Sequence, residues 1–84
     1  MRPRKTWEAV LGGRRAIPFE DFTRLLLAFG FAHKRTRGSH HIFLHPKAMR
    51  PLSIQPRGGE AKAYQVAQFL AMVEEFGLTM ETEE

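Results

Sequence analysis

The chain has 84 residues, a formal net charge of +4 and no cysteine. A chain of this length builds only one small core, so we expect a single domain over residues 1–84. The lack of cysteine excludes disulfide bonds and thiolate metal sites. Nothing in the sequence resembles a signal peptide or a membrane span, so it predicts a soluble cytoplasmic protein with no membrane contact.

Residues 1–18 form a basic N-terminal extension that contains one predicted helix. Threonine is a common residue at helix N-caps, so Thr6 predicts a short helix over residues 7–11. Gly12 and Gly13 end it, and residues 1–5 are expected to lie outside it.

The first long helix is predicted to start at Pro18, because proline presets the φ angle of a first helical turn. Glu20 and Asp21 suit the positive end of the helix dipole, and Gly30 ends the pattern. Apolar residues recur between these ends at helical spacing. They are Phe19, Phe22, Leu25, Leu26 and Phe29.

Glycine and proline divide the middle of the chain into short runs, which predicts antiparallel strands at about 31–37, 40–45 and 52–55. A second long helix follows, from Tyr64 to Phe76, and residues 79–84 form an acidic tail polar enough to stay loose. This order predicts an α+β fold: a three-stranded antiparallel sheet with two helices on one face, plus the short N-terminal helix. The other face of the sheet is left open.

Positive charge is concentrated in the middle of the chain, where residues 31–58 contain six Lys or Arg and no Asp or Glu. Such a segment is the electrostatic footprint of an anionic partner such as RNA. All four histidines lie within it, three of them between Gly38 and Pro46. Because the unperturbed pKa of histidine is about 6.5, its side chain exchanges protons at neutral pH, so we expect chemistry in this stretch.

Metal binding does not fit the histidine spacing. On a strand, His41 and His45 lie about 13 Å apart, and His40 and His41 point to opposite faces. We therefore expect neither a metal site nor a cofactor. His41 and His45 share a strand side with Phe43 and are expected to pack and hydrogen-bond, and His33 is expected to have a surface or packing role.

His40 is the candidate catalytic residue, because it follows a Gly-Ser turn at the edge of the cationic segment. A metal-free ribonuclease needs a base for the ribose 2′-OH, an acid for the leaving oxygen and cations for the phosphorane, and a histidine fills either proton-transfer role. Gly38 would supply turn geometry or close backbone approach, and Ser39 a hydroxyl that binds phosphate or fixes the turn. The expected RNA-binding residues are Lys34, Arg35, Arg37, Gly38, Ser39 and Lys47.

Three motifs occur in a distinctive order. Gly30-Phe31 ends the first long helix, the run RGSHHIF at 37–43 precedes His45-Pro46, and Phe76-Gly77-Leu78 ends the second. In this combination the chain resembles the HicA toxins of bacterial type II toxin–antitoxin systems, over about residues 19–78. The resemblance implies a double-stranded-RNA-binding-domain-like α-β-β-β-α fold, metal-independent cleavage of mRNA, and a HicB antitoxin that covers the active site. It places the family's catalytic histidine on His40 and the glycine of its turn on Gly38.

The chain also departs from that family. Members often carry polar residues where this chain has Ile42 and Leu44, which favours the His40 side of the middle strand as the open one and suggests a partner contact there. The extension with Trp7 exceeds the shorter members. Two alternative functions stay open: a noncatalytic RNA-binding domain that recognises the shape of A-form RNA, and a protein-interaction unit that uses Ile42, Leu44 and Met49.

Overall fold

A computed structural model describes residues 2–82, which form three helices and six short strands. In chain order these are α1 (Pro3–Leu11), β1 (Ile17–Pro18), α2 (Phe19–Ala28), β2 (Ala32–Arg37), β3 (His40–Leu44), β4 (Leu52–Ile54), β5 (Pro56–Arg57), β6 (Glu60–Ala61) and α3 (Ala63–Phe76). Strands β2, β3 and β4 form an antiparallel sheet in that order. The α+β fold is confirmed, and its order matches the α-β-β-β-α arrangement of double-stranded-RNA-binding domains.

The N-terminal helix begins earlier than predicted. Pro3 occupies its first turn and Arg2 is the N-cap. Thr6 lies inside the helix, fully buried, and its hydroxyl donates back to the Arg2 carbonyl at 3.3 Å. The prediction of Thr6 as the cap was wrong because Pro3, with its preset φ angle and missing N–H, suits a first helical position better.

Both long helices end as predicted. After α2, Gly30 has a φ of +92°, and the Phe31 N–H bonds to the Leu26 carbonyl at 3.0 Å. After α3, Gly77 has a φ of +64°, and the Leu78 N–H bonds to the Val73 carbonyl at the same distance. In each case a glycine in the left-handed conformation lets the next residue turn back onto the helix.

A second small sheet was not predicted. Strands β1, β6 and β5 pair antiparallel in that order, with Ile17 opposite Ala61 and Arg57 opposite Glu60. Pro18 therefore ends a strand and caps α2, and does not belong to its first turn. Strands of two residues carry no alternation pattern, so only their long-range pairing reveals them.

The core centres on an aromatic cluster that joins all three helices. The ring of Phe69 in α3 lies 5.7 Å from Phe22, 5.2 Å from Phe29, 6.1 Å from Phe31 and 6.0 Å from Trp7, measured between centroids. All four are edge-to-face or tilted contacts, which aromatic quadrupoles favour. The sheet contributes its own buried residues from one face: Phe43, Leu52 and Ile54.

The described part of the C-terminal tail is docked against the protein. Leu78 is buried, Met80 packs against the core, and the backbone N–H groups of Glu81 and Thr82 donate to the Ala28 carbonyl at 2.7 and 3.2 Å. The prediction of a loose tail was wrong over residues 79–82, because the α2 end offers an unpaired carbonyl. Residues 83 and 84 of that tail, and Met1, lie outside the described residues. None of the described helices is both long and apolar enough to cross a membrane.

Trp7→Ala should lower the free energy of unfolding by about 2–3 kcal/mol, somewhat less than a fully buried tryptophan loses. The reason is the loss of ring contacts with Phe29, 4.8 Å away, and with Phe69. Urea denaturation measures the change. Leu11→Ala is the matched control, since that side chain in the same helix is 61% exposed and should cost no more than about 0.5 kcal/mol. Equal losses in the two variants would show that α1 docks without its tryptophan.

Candidate active site

The two faces of the β2-β3-β4 sheet differ sharply. Phe43 is fully buried beneath the helices, so alternation along β3 places His40, Ile42 and Leu44 on the opposite face. His40 is exposed there and Leu44 is 39% exposed. We call this opposite side the outer face; the described elements leave it uncovered, in agreement with the prediction from the sequence.

Two arginines flank His40 on the outer face. Arg37 is its direct cross-strand partner and Arg35 is the partner of Ile42. Directly opposed residues have Cβ atoms about 5 Å apart, so the Arg37 side chain starts beside that of His40. The sheet thus joins one titratable side chain to at least two permanent positive charges.

A β-bulge decides which cations lie there. The register pairs His33 with Phe43 but Arg35 with Ile42, so Lys34 is the extra residue. With unbroken pairing, Lys34 would lie opposite Ile42, and Arg35 and Arg37 would fall on the helix side of the sheet. The bulge therefore brings both arginines to the outer face.

The turn before His40 is a two-residue connection in which Gly38 has a φ of +58°. Non-glycine residues rarely adopt that angle, and a Cβ on Gly38 would meet nothing within 4 Å. Within the protein Gly38 thus serves turn geometry, not close packing. Ser39 is exposed in the same turn.

Lys47 is not close to His40. It follows the far end of β3, whose backbone alone separates His40 from Leu44 by about 13 Å. Its backbone N–H bonds to His45, and its side chain is exposed. The RNA-binding residues predicted from the sequence therefore divide into a group beside His40 and this one remote lysine.

His45 has a structural role. Its ring is 6% exposed, packs on Phe31 and bridges two backbone groups. The Lys47 N–H donates to Nδ1 at 3.0 Å, and the Phe29 carbonyl lies 2.8 Å from Nε2. Because one partner only donates and the other only accepts, the ring is the neutral tautomer with its proton on Nε2.

His33 and His41 lie on the helix side of the sheet, opposite to His40. The His33 ring stacks on Phe43 at 4.9 Å, and the His41 ring contacts Phe19 at 5.0 Å. The Thr36 hydroxyl lies between the two, 3.0 Å from His33 Nε2 and 3.4 Å from His41 Nδ1. This hydroxyl bridge had no signal in the sequence, because it depends on the bulge. Among residues 2–82, no three His, Asp or Glu side chains come together in a group that could hold a metal ion.

The chain matches a known protein family over most of its length. The family model described as the HicA toxin of bacterial toxin–antitoxin systems matches residues 19–75, which contain α2, the three strands of the main sheet and all of α3 except its last residue. No curated protein and no solved structure matches the chain significantly.

His45→Ala should lower the free energy of unfolding by about 2–4 kcal/mol, because it leaves the Phe29 carbonyl and the Lys47 N–H without their partner in a buried place. Chemical denaturation measures this. His40→Ala is the matched control: its ring is exposed, so the unfolding midpoint should barely move. An unchanged midpoint for His45→Ala would contradict the structural role.

Proposed function

The chain belongs to the HicA toxin family, a family of toxins from toxin–antitoxin systems, and we propose that it is an endoribonuclease that cleaves mRNA in the cytoplasm without a metal ion. His40 acts as general acid or base, and a HicB-type antitoxin neutralises the enzyme. The observation that carries this proposal is the pairing of exposed His40 with Arg37 on a sheet face that no described element covers.

The reaction uses the ribose 2′-OH of the substrate as nucleophile. Its oxygen bonds to the adjacent phosphorus, the bond from phosphorus to the 5′-oxygen breaks, and the upstream fragment keeps a 2′,3′-cyclic phosphate. One group removes the 2′-OH proton and another delivers a proton to the leaving 5′-oxygen. His40 performs one of these transfers, which is typically worth about 10² to 10⁴ in rate.

The arginines stabilise the negative charge that develops on the non-bridging phosphate oxygens in the transition state. Arg37 and Arg35 start from the same face as His40, and a guanidinium donates two parallel N–H groups to phosphate oxygens. Lys34 in the bulge and the Gly38-Ser39 turn border the same region and contact the sugar-phosphate backbone of the RNA beside the scissile phosphate. Lys47, at the far end of β3, serves a phosphate several nucleotides away.

Exposed apolar side chains on β3 and in the loop that follows it suit the antitoxin. Leu44 is 39% exposed and Met49, in the loop before β4, is 92% exposed. Beside half-buried Ile42, they offer apolar area that RNA phosphates cannot use. A protein that extends from them along β3 to its other end would also cover His40, which explains how binding would silence catalysis.

His40→Ala should abolish RNA cleavage and growth toxicity while the protein stays folded. The matched control is His41→Ala, which changes the adjacent residue on the other face and should retain cleavage with some loss of stability. Purified proteins are incubated with single-stranded RNA and the products separated on a gel. Wild-type cutting by folded His40→Ala would disprove the catalytic role. If the unaltered protein binds RNA but never cuts it, the noncatalytic RNA-binding function is the correct one.

A 2′-deoxyribose at the scissile position should block cleavage and leave RNA binding largely unchanged, because it removes only the nucleophile. EDTA should have no effect on cleavage of the all-ribose strand. The upstream fragment should end in a cyclic phosphate or its hydrolysis product, which mass spectrometry identifies. Inhibition by EDTA, or equal cutting of the deoxy-substituted strand, would instead make a metal-bound hydroxide or water the nucleophile.

A further inference from the structure

A basic cavity of about 610 Å³ lies away from His40, at the small sheet and the start of α3. Three cationic side chains line it, from three separate parts of the chain: Arg15 before β1, Arg57 at the end of β5, and Lys62 between β6 and α3. Glu60 is the acidic residue of the lining, and Tyr64 supplies an aromatic ring. We call it the hairpin cavity.

The backbone around the hairpin cavity is held firmly. Ile17 and Ala61, cross-strand partners in the small sheet, are buried in the core. The amide of buried Gln65 in α3 bonds to the backbone of Gln55 in both directions, at 3.1 and 3.2 Å, once its oxygen and nitrogen are assigned from their partners. The cavity is therefore preformed, so a ligand need not order the backbone on binding.

The positive charges in the hairpin cavity are only partly compensated, by Glu60, the cross-strand partner of Arg57. Arg57 and Lys62 have no carboxylate partner within ion-pair distance among residues 2–82. Arg15 uses Nη1 to bond the carbonyls of Val10 and Arg14, which tethers a side chain that carries five N–H donors. Three cations against one carboxylate make the lining a site for an anion.

The aromatic ring of Tyr64 indicates which class of anion the hairpin cavity would bind. Tyr64 is 56% exposed, and the Lys62 ammonium lies 6.0 Å from its ring centroid. An exposed ring beside cations is the combination that holds single-stranded nucleic acid, with a base on the ring and a phosphate on the charges. An acidic protein segment would use the charges but has no need of the ring.

The hairpin cavity is also within reach of a strand bound at His40. Ile54 pairs with His41, the neighbour of His40, and Arg57 follows Ile54 by three residues, at most about 10 Å of extended chain. An RNA strand covers such a distance in a few nucleotides. From this geometry we propose that the cavity binds one nucleotide of the RNA substrate, with its base stacked on Tyr64 and its phosphate among Arg15, Arg57 and Lys62.

This inference rests on the proposed function, since it extends the footprint of the same substrate. It also gives the N-terminal extension a role in binding, because Arg15 lies outside the residues that match the family model. The footprint then includes both the outer face and the hairpin cavity.

The test uses His40→Ala protein, which should bind RNA without cutting it, and a labelled single-stranded RNA of about 12 nucleotides. Arg57→Gln and Lys62→Gln should each weaken binding and reduce the slope of log affinity against log salt by about 0.7, one phosphate contact's worth. Lys5→Gln, an equal charge change on exposed α1, is the matched control and should leave the slope unchanged. Glu60→Gln should act in the opposite direction and strengthen binding.

Stacking is tested separately from charge. Tyr64→Leu should weaken RNA binding about fivefold or more without a change in salt slope, whereas Tyr64→Phe, which keeps the ring, should bind like the unchanged protein. If Arg57→Gln and Lys62→Gln behave like Lys5→Gln, or if polyglutamate of equal charge displaces the RNA as well as unlabelled RNA does, the proposal is overturned.

The outcomes also separate this inference from the proposed function. If RNA binds through the hairpin cavity but is never cut by the unaltered protein, the ribonuclease proposal is wrong and the proposed RNA-binding role of the cavity is kept. Cleavage that depends on His40, with RNA binding indifferent to all cavity variants, would do the reverse.

Discussion

The packing of Phe69 is the constraint on which the rest of the structure depends. A chain of 84 residues can build one core only, and this ring gathers aromatic residues of α1, of α2 and of the turn between α2 and β2 around α3. Because every helix is engaged at this cluster, all three lie on the same side of the main sheet. For that reason none of the described elements covers the outer face, and an uncovered sheet face is what an extended ligand requires.

The chemistry of the outer face follows from strand geometry. Because Phe43 is buried, the alternate residues of β3, including His40, face outward. A separate feature decides which residues of β2 face outward. The bulge at Lys34 moves Arg35 and Arg37 to the outer face, where His40 lies. Histidines close in sequence thus acquire different environments: His45 is locked between backbone groups, His41 is bridged to Thr36, and only His40 faces solvent beside arginines.

The N-terminal extension is integrated into the domain in two ways. Through Trp7 it completes the aromatic cluster, and through Ile17 it supplies a strand to the small sheet. That small sheet in turn brings Arg15 to Lys62 and Arg57, residues 42 to 47 positions further along the chain. Both the stability of the domain and the hairpin cavity therefore depend on the N-terminal extension. Truncation of the extension would disturb both, whereas a point change at Arg57 or Tyr64 would alter the cavity alone.

The sequence by itself determined the parts that depend on local signals. Helical spacing and the glycines at 30 and 77 located both long helices, and the short runs between Gly and Pro located three strands and His40 at the start of the middle one. Parts that depend on distant partners were decided only by the tertiary structure. The two-residue strand β1 depends on pairing between residues 17 and 61. The bulge depends on how β2 pairs with β3, and the docked tail depends on hydrogen bonds to the carbonyl of Ala28. No short window of sequence contains both halves of such a contact, which is why the cation group of the hairpin cavity emerged from the fold alone.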